Sequence, residues 1–162
     1  MRFTLTQHLP ADPAEAIRLY ADPEFHTSLH GMTKVAAPIL VGRDVDRDRI
    51  TLRLRYRFTA PLPSAVTAVV DPTRLSWIDE TVYDLVGLTA TTTLLPDHYG
   101  DRFTADIRSR FTAEEGGTER RIEGELKVRM LLVGSQVEKA IVSGIEEHLE
   151  EEGKEAAARL GR

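Results

Sequence analysis

Asp79 is the residue with the clearest capacity for acid/base chemistry. It lies in the segment RLSWIDETVYD, where the alternation of residue types predicts a strand with two distinct faces. One of these faces carries Trp77, Asp79, Thr81 and Tyr83. If that face is the inner one, desolvation raises the pKa of the Asp79 carboxyl and makes it a candidate general base, with Tyr56 and Tyr83 as further acid/base candidates. Because an unpaired buried charge is costly, a position near the sheet edge or a pairing with an arginine is the favoured interpretation of Asp79.

Three histidines are the other candidates for chemistry. His26 and His30 are four residues apart in a predicted short helix, with Glu24 nearby, and this spacing can place two imidazoles on one metal ion. No third or fourth ligand can be identified, so a solvated helix face is the favoured interpretation and no metal site is predicted. His148 lies at the edge of an apolar helix face, and we interpret it as a structural or partly exposed histidine.

The motifs and the net charge of the sequence argue against cofactors, nucleic acid and membranes as partners. Nucleophile elbows, phosphate loops, dinucleotide fingerprints, zinc motifs and cysteines do not occur, so no cofactor is predicted. A net charge of -5 argues against nucleic acid, and acidic residues share the outer face of the sheet with its arginines. There is no run of about 18 apolar residues and no signal-peptide pattern, so we expect no membrane insertion and a cytoplasmic location.

Period-two alternation predicts the elements that must position these side chains. The clearest strand is ITLRLRYRFT, in which every second residue is apolar. Seven such strands, joined mostly by short turns, predict an antiparallel sheet with one apolar face. Asp12-Pro13 and Asp22-Pro23 are start signals for two short helices after the first strand. The segment GRDVDRDR is predicted to be a turn, and the last strand is predicted to continue to Leu132.

The segment from Ser135 to Leu160 predicts one long helix. Ser135 and Glu138 have the spacing of a capping box. The apolar stripe of the helix consists of Val137, Ile141, Ile145 and Leu149. A glutamate-rich opposite face disfavours a membrane-surface helix, and uniform four-residue spacing disfavours a coiled coil. The stripe is therefore predicted to cover the apolar face of the sheet within one α+β domain, residues 1–162, that is a monomer or a weak homodimer.

Three segments resemble one uncharacterised bacterial family of the START-like superfamily. LLVGSQVEKAIVSGIEEHLEEEG resembles the Pro-Leu-Val-Gly-Gly-x-x-Glu start of that family's last helix, with Leu132 in place of the proline and Ser135 in place of the second glycine. The opening MRFTLTQHLPADPAEAIRLYADPEFHTSL and the strand LSWIDETVYD are similar to that family as well. The superfamily, also called SRPBCC, polyketide-cyclase, birch-pollen-allergen-like or helix-grip, has a seven-stranded curved antiparallel sheet that grips a long C-terminal helix.

This resemblance implies a cavity between sheet and helix for an apolar or amphipathic, lipid-like molecule. The first hypothesis is a binding protein, the second is a cofactor-independent enzyme of the cyclase or aromatase kind, and the third is an interaction module with a filled core. A continuous cavity of about 300 Å³ or more would support binding. The residues predicted to line it are Leu52, Leu54, Tyr56, Phe58, Trp77, Tyr83, Phe103, Ile107, Val137, Ile141, Ile145 and Leu149.

Overall fold

Seven strands form one open antiparallel sheet in the computed structural model, which describes all residues 1–162. The strands are β1 (Arg2–Leu9), β2 (Ile39–Asp46), β3 (Arg49–Arg57), β4 (Ser76–Asp84), β5 (Thr89–Pro96), β6 (Phe103–Glu114) and β7 (Gly117–Val128). Their order in space is β1-β7-β6-β5-β4-β3-β2, so only β1 lies out of sequence order, beside β7. The predicted α+β architecture is confirmed.

Four helices accompany the sheet: α1 (Pro13–Tyr20), α2 (Pro23–Thr27), α3 (Ser64–Thr67) and α4 (Gly134–Leu160). The predicted start signals of α1 and α2 are confirmed, since the side chains of Asp12 and Asp22 accept hydrogen bonds from the N–H groups of Glu15 and Glu24, both at 2.9 Å. α4 packs on β1 and β7, as a cover for the inner face of the sheet. None of the helices has both the length and the apolar composition needed to cross a bilayer.

The inner face of the sheet is built from alternate residues, as the period-two pattern predicts. In β3 the buried residues are Ile50, Leu52, Leu54 and Tyr56, and the residues between them are partly or fully exposed. The apolar interior has two parts. One surrounds α1 and α2 and includes Tyr20 and Phe25. The other lies under the first half of α4 and includes Val137 and Val142, and Trp77 packs against both parts.

Three predicted boundaries are wrong. β2 continues through most of the segment GRDVDRDR to Asp46, as an exposed edge strand in which charges and a bulge replace an apolar pattern. β7 ends at Val128, and Leu132 lies fully exposed in a turn with a left-handed φ of 68°. α4 begins at Gly134 without a side-chain cap. The Glu138 carboxylate accepts a hydrogen bond from the N–H of Val128 at 3.3 Å, so it does not close a capping box with Ser135.

Candidate functional site

A cavity lies between the first half of α4 and the inner face of the sheet. It has a volume of about 120 Å³, and 16 of the 24 residues that line it are hydrophobic. The walls come from α4, from the strand ends of β4, β5, β6 and β7, and from the β3–β4 connection. Exposed lining residues, among them Arg74 and Arg102, mark a mouth that opens to solvent. The volume is below the roughly 300 Å³ expected from sequence for a ligand-binding cavity, so that expectation is not met. The enclosed part fits a small molecule or one end of a larger one.

The structure brings six of the twelve predicted wall residues to this cavity. These six are Phe58, Trp77, Phe103, Val137, Ile141 and Ile145. The other six lie outside its lining: Leu52, Leu54, Tyr56, Tyr83, Ile107 and Leu149. All six of these are buried in the interior of the protein, four of them in the part around α1 and α2 and two, Ile107 and Leu149, in the part under α4. A role in ligand binding stays a prediction for all twelve residues.

Several lining residues come from connections that the sequence analysis did not assign to the site. Leu62, Val66 and Val70 belong to the β3–β4 connection, where α3 lays an apolar face over the cavity. The four-residue spacing of Val66 and Val70 within SAVTAVV was a usable sign of this face. His98 and Tyr99 come from the β5–β6 turn, where no periodicity could have placed them.

Aromatic rings close the inner end of the cavity, which is marked by Trp77 and His148. The Trp77 ring stacks on the Tyr56 ring with 5.9 Å between centroids and 14° between planes. The His148 ring also meets the Tyr56 ring, edge to face, with 5.5 Å between centroids. Tyr56 is itself buried, and burial raises the pKa of its hydroxyl well above the ordinary value. The apolar cavity therefore ends against a set of polar aromatic side chains.

Asp79 points into the interior, just beyond Trp77. It pairs in register with Leu54 on β3 and Leu94 on β5, both of which are buried on the inner face. The Trp77 Nε1–H donates a hydrogen bond to Asp79 Oδ1 at 2.7 Å, whereas no arginine forms an ion pair with this carboxylate. Burial raises the pKa of Asp79 to about 7, although the hydrogen bond from Trp77 acts in the opposite direction. Neither alternative favoured from sequence, a sheet edge or an arginine partner, describes this position.

An ion pair lies deeper in the interior, between Arg120 of β7 and Glu152 of α4. Arg120 Nη1 donates to Glu152 Oε1 at 3.0 Å and to Gln7 Oε1 at 3.1 Å, and Nη2 donates to Ser109 Oγ at 3.3 Å. The guanidinium lies 3.9 Å from the centre of the Tyr20 ring. Gln7 and Ser109 are polar residues at inner-face positions of their strands, and both accept hydrogen bonds from the buried Arg120. Arg120 was missed, although it lies two residues before the inner-facing Ile122.

Two histidines flank Glu152. His26 Nε2 donates to the Tyr20 carbonyl at 2.7 Å, and its Nδ1 lies 3.6 Å from Glu152 Oε2. His148 Nε2 lies 3.9 Å from the same oxygen, and burial lowers the pKa of His148. Burial would raise the pKa of Glu152, but His26 and Arg120 together lower it to about 2. The predicted solvated position of His26 is therefore wrong. His30 is exposed, as predicted, but it lies beyond the end of α2 and not on the same helix as His26.

No group of three or more histidine, cysteine, aspartate or glutamate side chains is arranged to hold a metal ion. The chemistry available to this interior is instead proton transfer and hydrogen bonding. Asp79 is the carboxyl group whose pKa is raised to near neutral pH, and the buried hydroxyls of Tyr56 and Tyr83 have raised pKa values because of desolvation. The catalytic roles predicted for these three residues stay predictions.

Comparisons with known proteins identify a family and several structures that this chain resembles. Residues 4–160 match the family described as "Protein of unknown function (DUF2505)". A comparison with curated protein sequences gives no match. Among solved structures, the protein TTHA0849 from Thermus thermophilus is similar, with a TM-score of 0.68 and 19% identity over 99% of this chain and 97% of that one.

Two further solved structures have a similar fold. The Zhui aromatase/cyclase from Streptomyces sp. R1128 has a TM-score of 0.66 and 10% identity, over 99% of this chain and 94% of that one. A START superfamily protein from Mycobacterium smegmatis has a TM-score of 0.60 and 15% identity, over 98% of both chains. At these identities the likeness concerns the fold alone. The chain thus belongs to the DUF2505 family of proteins of unknown function, and its fold is that of the START-like superfamily.

Proposed function

We propose that this protein binds an apolar or amphipathic small molecule in the cavity between the sheet and α4. The observation that carries the proposal is the cavity itself, which has a mainly hydrophobic lining and a mouth open to solvent. Transfer of apolar ligand surface from water into such a site is favourable by about 25 cal/mol for each Å² buried. An interaction module with a filled core is the weaker hypothesis, because the space under α4 is not filled by side chains.

The fold supports a ligand-binding role by analogy. A START superfamily protein and an aromatase/cyclase have similar folds, with TM-scores of 0.60 and 0.66. A shared fold can carry many functions, so the analogy raises the expectation of a cavity ligand without naming it. The small enclosed volume supports a ligand of which only one part lies inside.

A cofactor-independent enzyme is the second candidate, and the position of Asp79 favours it. A carboxyl group with a pKa of about 7 can accept or donate a proton at neutral pH. Asp79 does not itself line the cavity, but its hydrogen-bond partner Trp77 does. A ligand that reaches past Trp77 would meet a candidate general base, and the hydroxyl-bearing Tyr56 stacks on Trp77, so the two groups needed for general acid–base catalysis lie in one region.

The central experiment is native mass spectrometry of the protein purified from its own host, to detect a co-purified small molecule. The matched binding assay uses Nile red, an uncharged apolar dye whose emission rises in an apolar site. Ile145→Trp fills the cavity and should abolish the rise, because Ile145 lines the cavity. Ser143→Trp adds the same side chain on the exposed side of α4 and should leave dye binding unchanged. Equal binding by Ile145→Trp and the unmodified protein would place the dye elsewhere and contradict the proposal.

The enzyme candidate is tested with the molecule identified in that experiment. Incubation with the unmodified protein should convert it, and Asp79→Asn should bind it without conversion. Recovery of the molecule unchanged from the unmodified protein would leave binding as the function and remove the enzyme candidate.

A further inference from the structure

The polar residues that line the cavity are unbalanced in charge. Five lining residues have basic side chains: Lys34, Arg74, His98, Arg102 and His148. None of the lining residues is an aspartate or a glutamate. The chain as a whole has the opposite balance, with 26 acidic residues against 21 lysines and arginines. Burial lowers the pKa of His148, so the positive charge at neutral pH comes from Lys34, Arg74 and Arg102. The mouth of the cavity is therefore a site of positive charge on an acidic protein.

Arg74 and Arg102 are the basic lining residues that are free to bind a ligand. Neither has a carboxylate oxygen within 4.0 Å, whereas Lys34 forms an ion pair with Glu147 at 3.2 Å. Both arginines are exposed at the mouth of the cavity. The only side-chain hydrogen bond of Arg74 is to His98, with 3.3 Å between Nη2 and Nδ1. An unpaired guanidinium offers up to five N–H donors, arranged to match a carboxylate or a phosphate.

Tyr99 contacts the segments that carry both arginines. The Arg74 guanidinium lies 5.5 Å from the centre of the Tyr99 ring, and the backbone N–H of Arg102 donates to the Tyr99 carbonyl at 2.9 Å. Both arginines line the same cavity. Two carboxylates lie nearby, and neither is within 4.0 Å of Arg74 or Arg102. Hydrogen bonds from Thr73, and to a smaller extent the charge of Arg74, lower the pKa of Asp71. Asp71 accepts hydrogen bonds from the backbone and the hydroxyl of Thr73, and Asp97 accepts from Ser76 and Arg55.

We infer that the ligand of the cavity is an anionic amphiphile, with a carboxylate or phosphate held at the mouth by Arg74 and Arg102 and an apolar body directed toward Trp77. This inference rests on the proposed function, because it concerns the same cavity. This arrangement offers a favourable interaction to each end of such a molecule. The acid stays partly in water and forms charge-assisted hydrogen bonds, and the apolar part replaces water against hydrophobic side chains.

Intrinsic fluorescence provides a direct measurement, since Trp77 is the single tryptophan of the chain and lines the cavity. The probes are octanoate, octyl phosphate, octanol and octylammonium, which share an apolar tail and differ in the head group. Octanoate and octyl phosphate should shift the Trp77 emission at concentrations about tenfold lower than octanol, by the strength of hydrogen bonds to charged groups. Octylammonium should bind more weakly than octanol. The ratio of octanoate to octyl phosphate affinity distinguishes a carboxylate from a phosphate head.

Single substitutions test whether the arginines at the mouth bind the acidic head group. Arg74→Gln and Arg102→Gln should each weaken octanoate binding about tenfold and leave octanol binding unchanged. Arg108→Gln, which removes an exposed guanidinium from the outer face of β6, is the matched control and should change neither. Octanoate affinity should also fall as NaCl rises from low to physiological concentration, because salt screens exposed charges.

The outcomes separate the inference from the function on which it rests. Equal affinity for octanol and octanoate, unaffected by the arginine variants, would overturn the anionic head group and leave cavity binding intact. Failure of all four probes to change the Trp77 emission would count against both.

Discussion

Glu152 is buried, with 5% of its surface exposed, and three neighbouring side chains contact its carboxylate. Arg120 supplies a hydrogen-bonded counter-charge, and His26 and His148 lie on the other side of the carboxylate. A buried ion pair adds little stability relative to an apolar pair, but removal of one partner leaves the other charge uncompensated. The pair therefore acts as a constraint on how α4 can sit on β7.

Removal of the Glu152 charge should be strongly destabilising. Glu152→Gln keeps the size of the side chain but leaves Arg120 buried without a counter-ion, at an expected cost of about 3–5 kcal/mol in the free energy of unfolding at pH 7. Urea denaturation measures this cost. Glu150→Gln is the control, because Glu150 is exposed on the same helix, and it should change stability by about 0.5 kcal/mol or less. A loss below about 1 kcal/mol for Glu152→Gln would show that Arg120 is solvated or paired in another way.

The same carboxylate predicts an acid dependence of stability. The pKa of Glu152 is lowered from 4.5 to about 2 in the folded protein, because His26 and Arg120 outweigh the effect of burial. Its ionised form therefore stabilises the folded state above pH 4.5, and this contribution is lost as the pH falls toward 2. The difference in stability between the unmodified protein and Glu152→Gln should shrink over that range, as urea denaturation at successive pH values would show.

For Asp79 we expect stability to depend on pH in the opposite direction and in a higher pH range. Its pKa rises from 3.8 to about 7 on folding, so the folded state binds the proton more tightly and loses stability as the pH increases through this range. The loss is at most about 4 kcal/mol. Asp79→Asn keeps an acceptor for the Trp77 N–H and cannot ionise, so its stability should fall less between about pH 4 and pH 8, as urea denaturation at both values would measure. The exposed Asp106→Asn should behave as the unmodified protein does.

At the scale of the element, two glycines of α4 differ in how closely the helix backbone approaches its neighbours. A Cβ at Gly153 would lie 2.8 Å from Gln7 Cδ, and Gln7 is held by hydrogen bonds to Leu149 and Tyr20. Gly153→Ala should therefore lower the free energy of unfolding by about 1–3 kcal/mol, even though alanine favours a helix.

Gly144→Ala is the matched control for that prediction. A Cβ at Gly144 would lie 3.4 Å from Phe58 Cε2, a contact that a small shift of the ring can relieve. The substitution should be neutral or stabilising by up to about 1 kcal/mol, from helix propensity alone. Thermal unfolding of both variants measures the contrast, and equal effects would mean that close approach to Gln7 does not constrain α4.

The elements differ in how far the sequence could predict them. Period-two alternation predicted the sheet because its inner face is dry and its outer face is wet, and β3 is the clearest case. The same parity applied to Arg120 places it on the inner face, but arginines are seldom fully buried, so residue type gave no sign of this position. The mouth was not predictable, since Arg74 and Arg102 lie in connections whose path depends on tertiary packing.

At the scale of the whole molecule, one half of the interior is filled and the other is open. The half around α1 and α2 is packed by large side chains such as Tyr20 and Phe25, and the half under the start of α4 contains the cavity. Trp77 lies at the boundary and packs against both halves. The filled half, with its buried ion pair, can maintain the fold while the open half accommodates a ligand.

This division predicts a global response to a cavity ligand. A molecule that binds only the folded state stabilises it by about 2.7 kcal/mol at a concentration about 100 times its Kd. For a chain of this size that corresponds to a rise in Tm of about 5–10 °C. Octanoate at such a concentration should produce this rise in the unmodified protein, as measured by differential scanning calorimetry. Ile145→Trp should show none, because the added ring occupies the same space, and an equal rise in that variant would place octanoate binding outside the cavity.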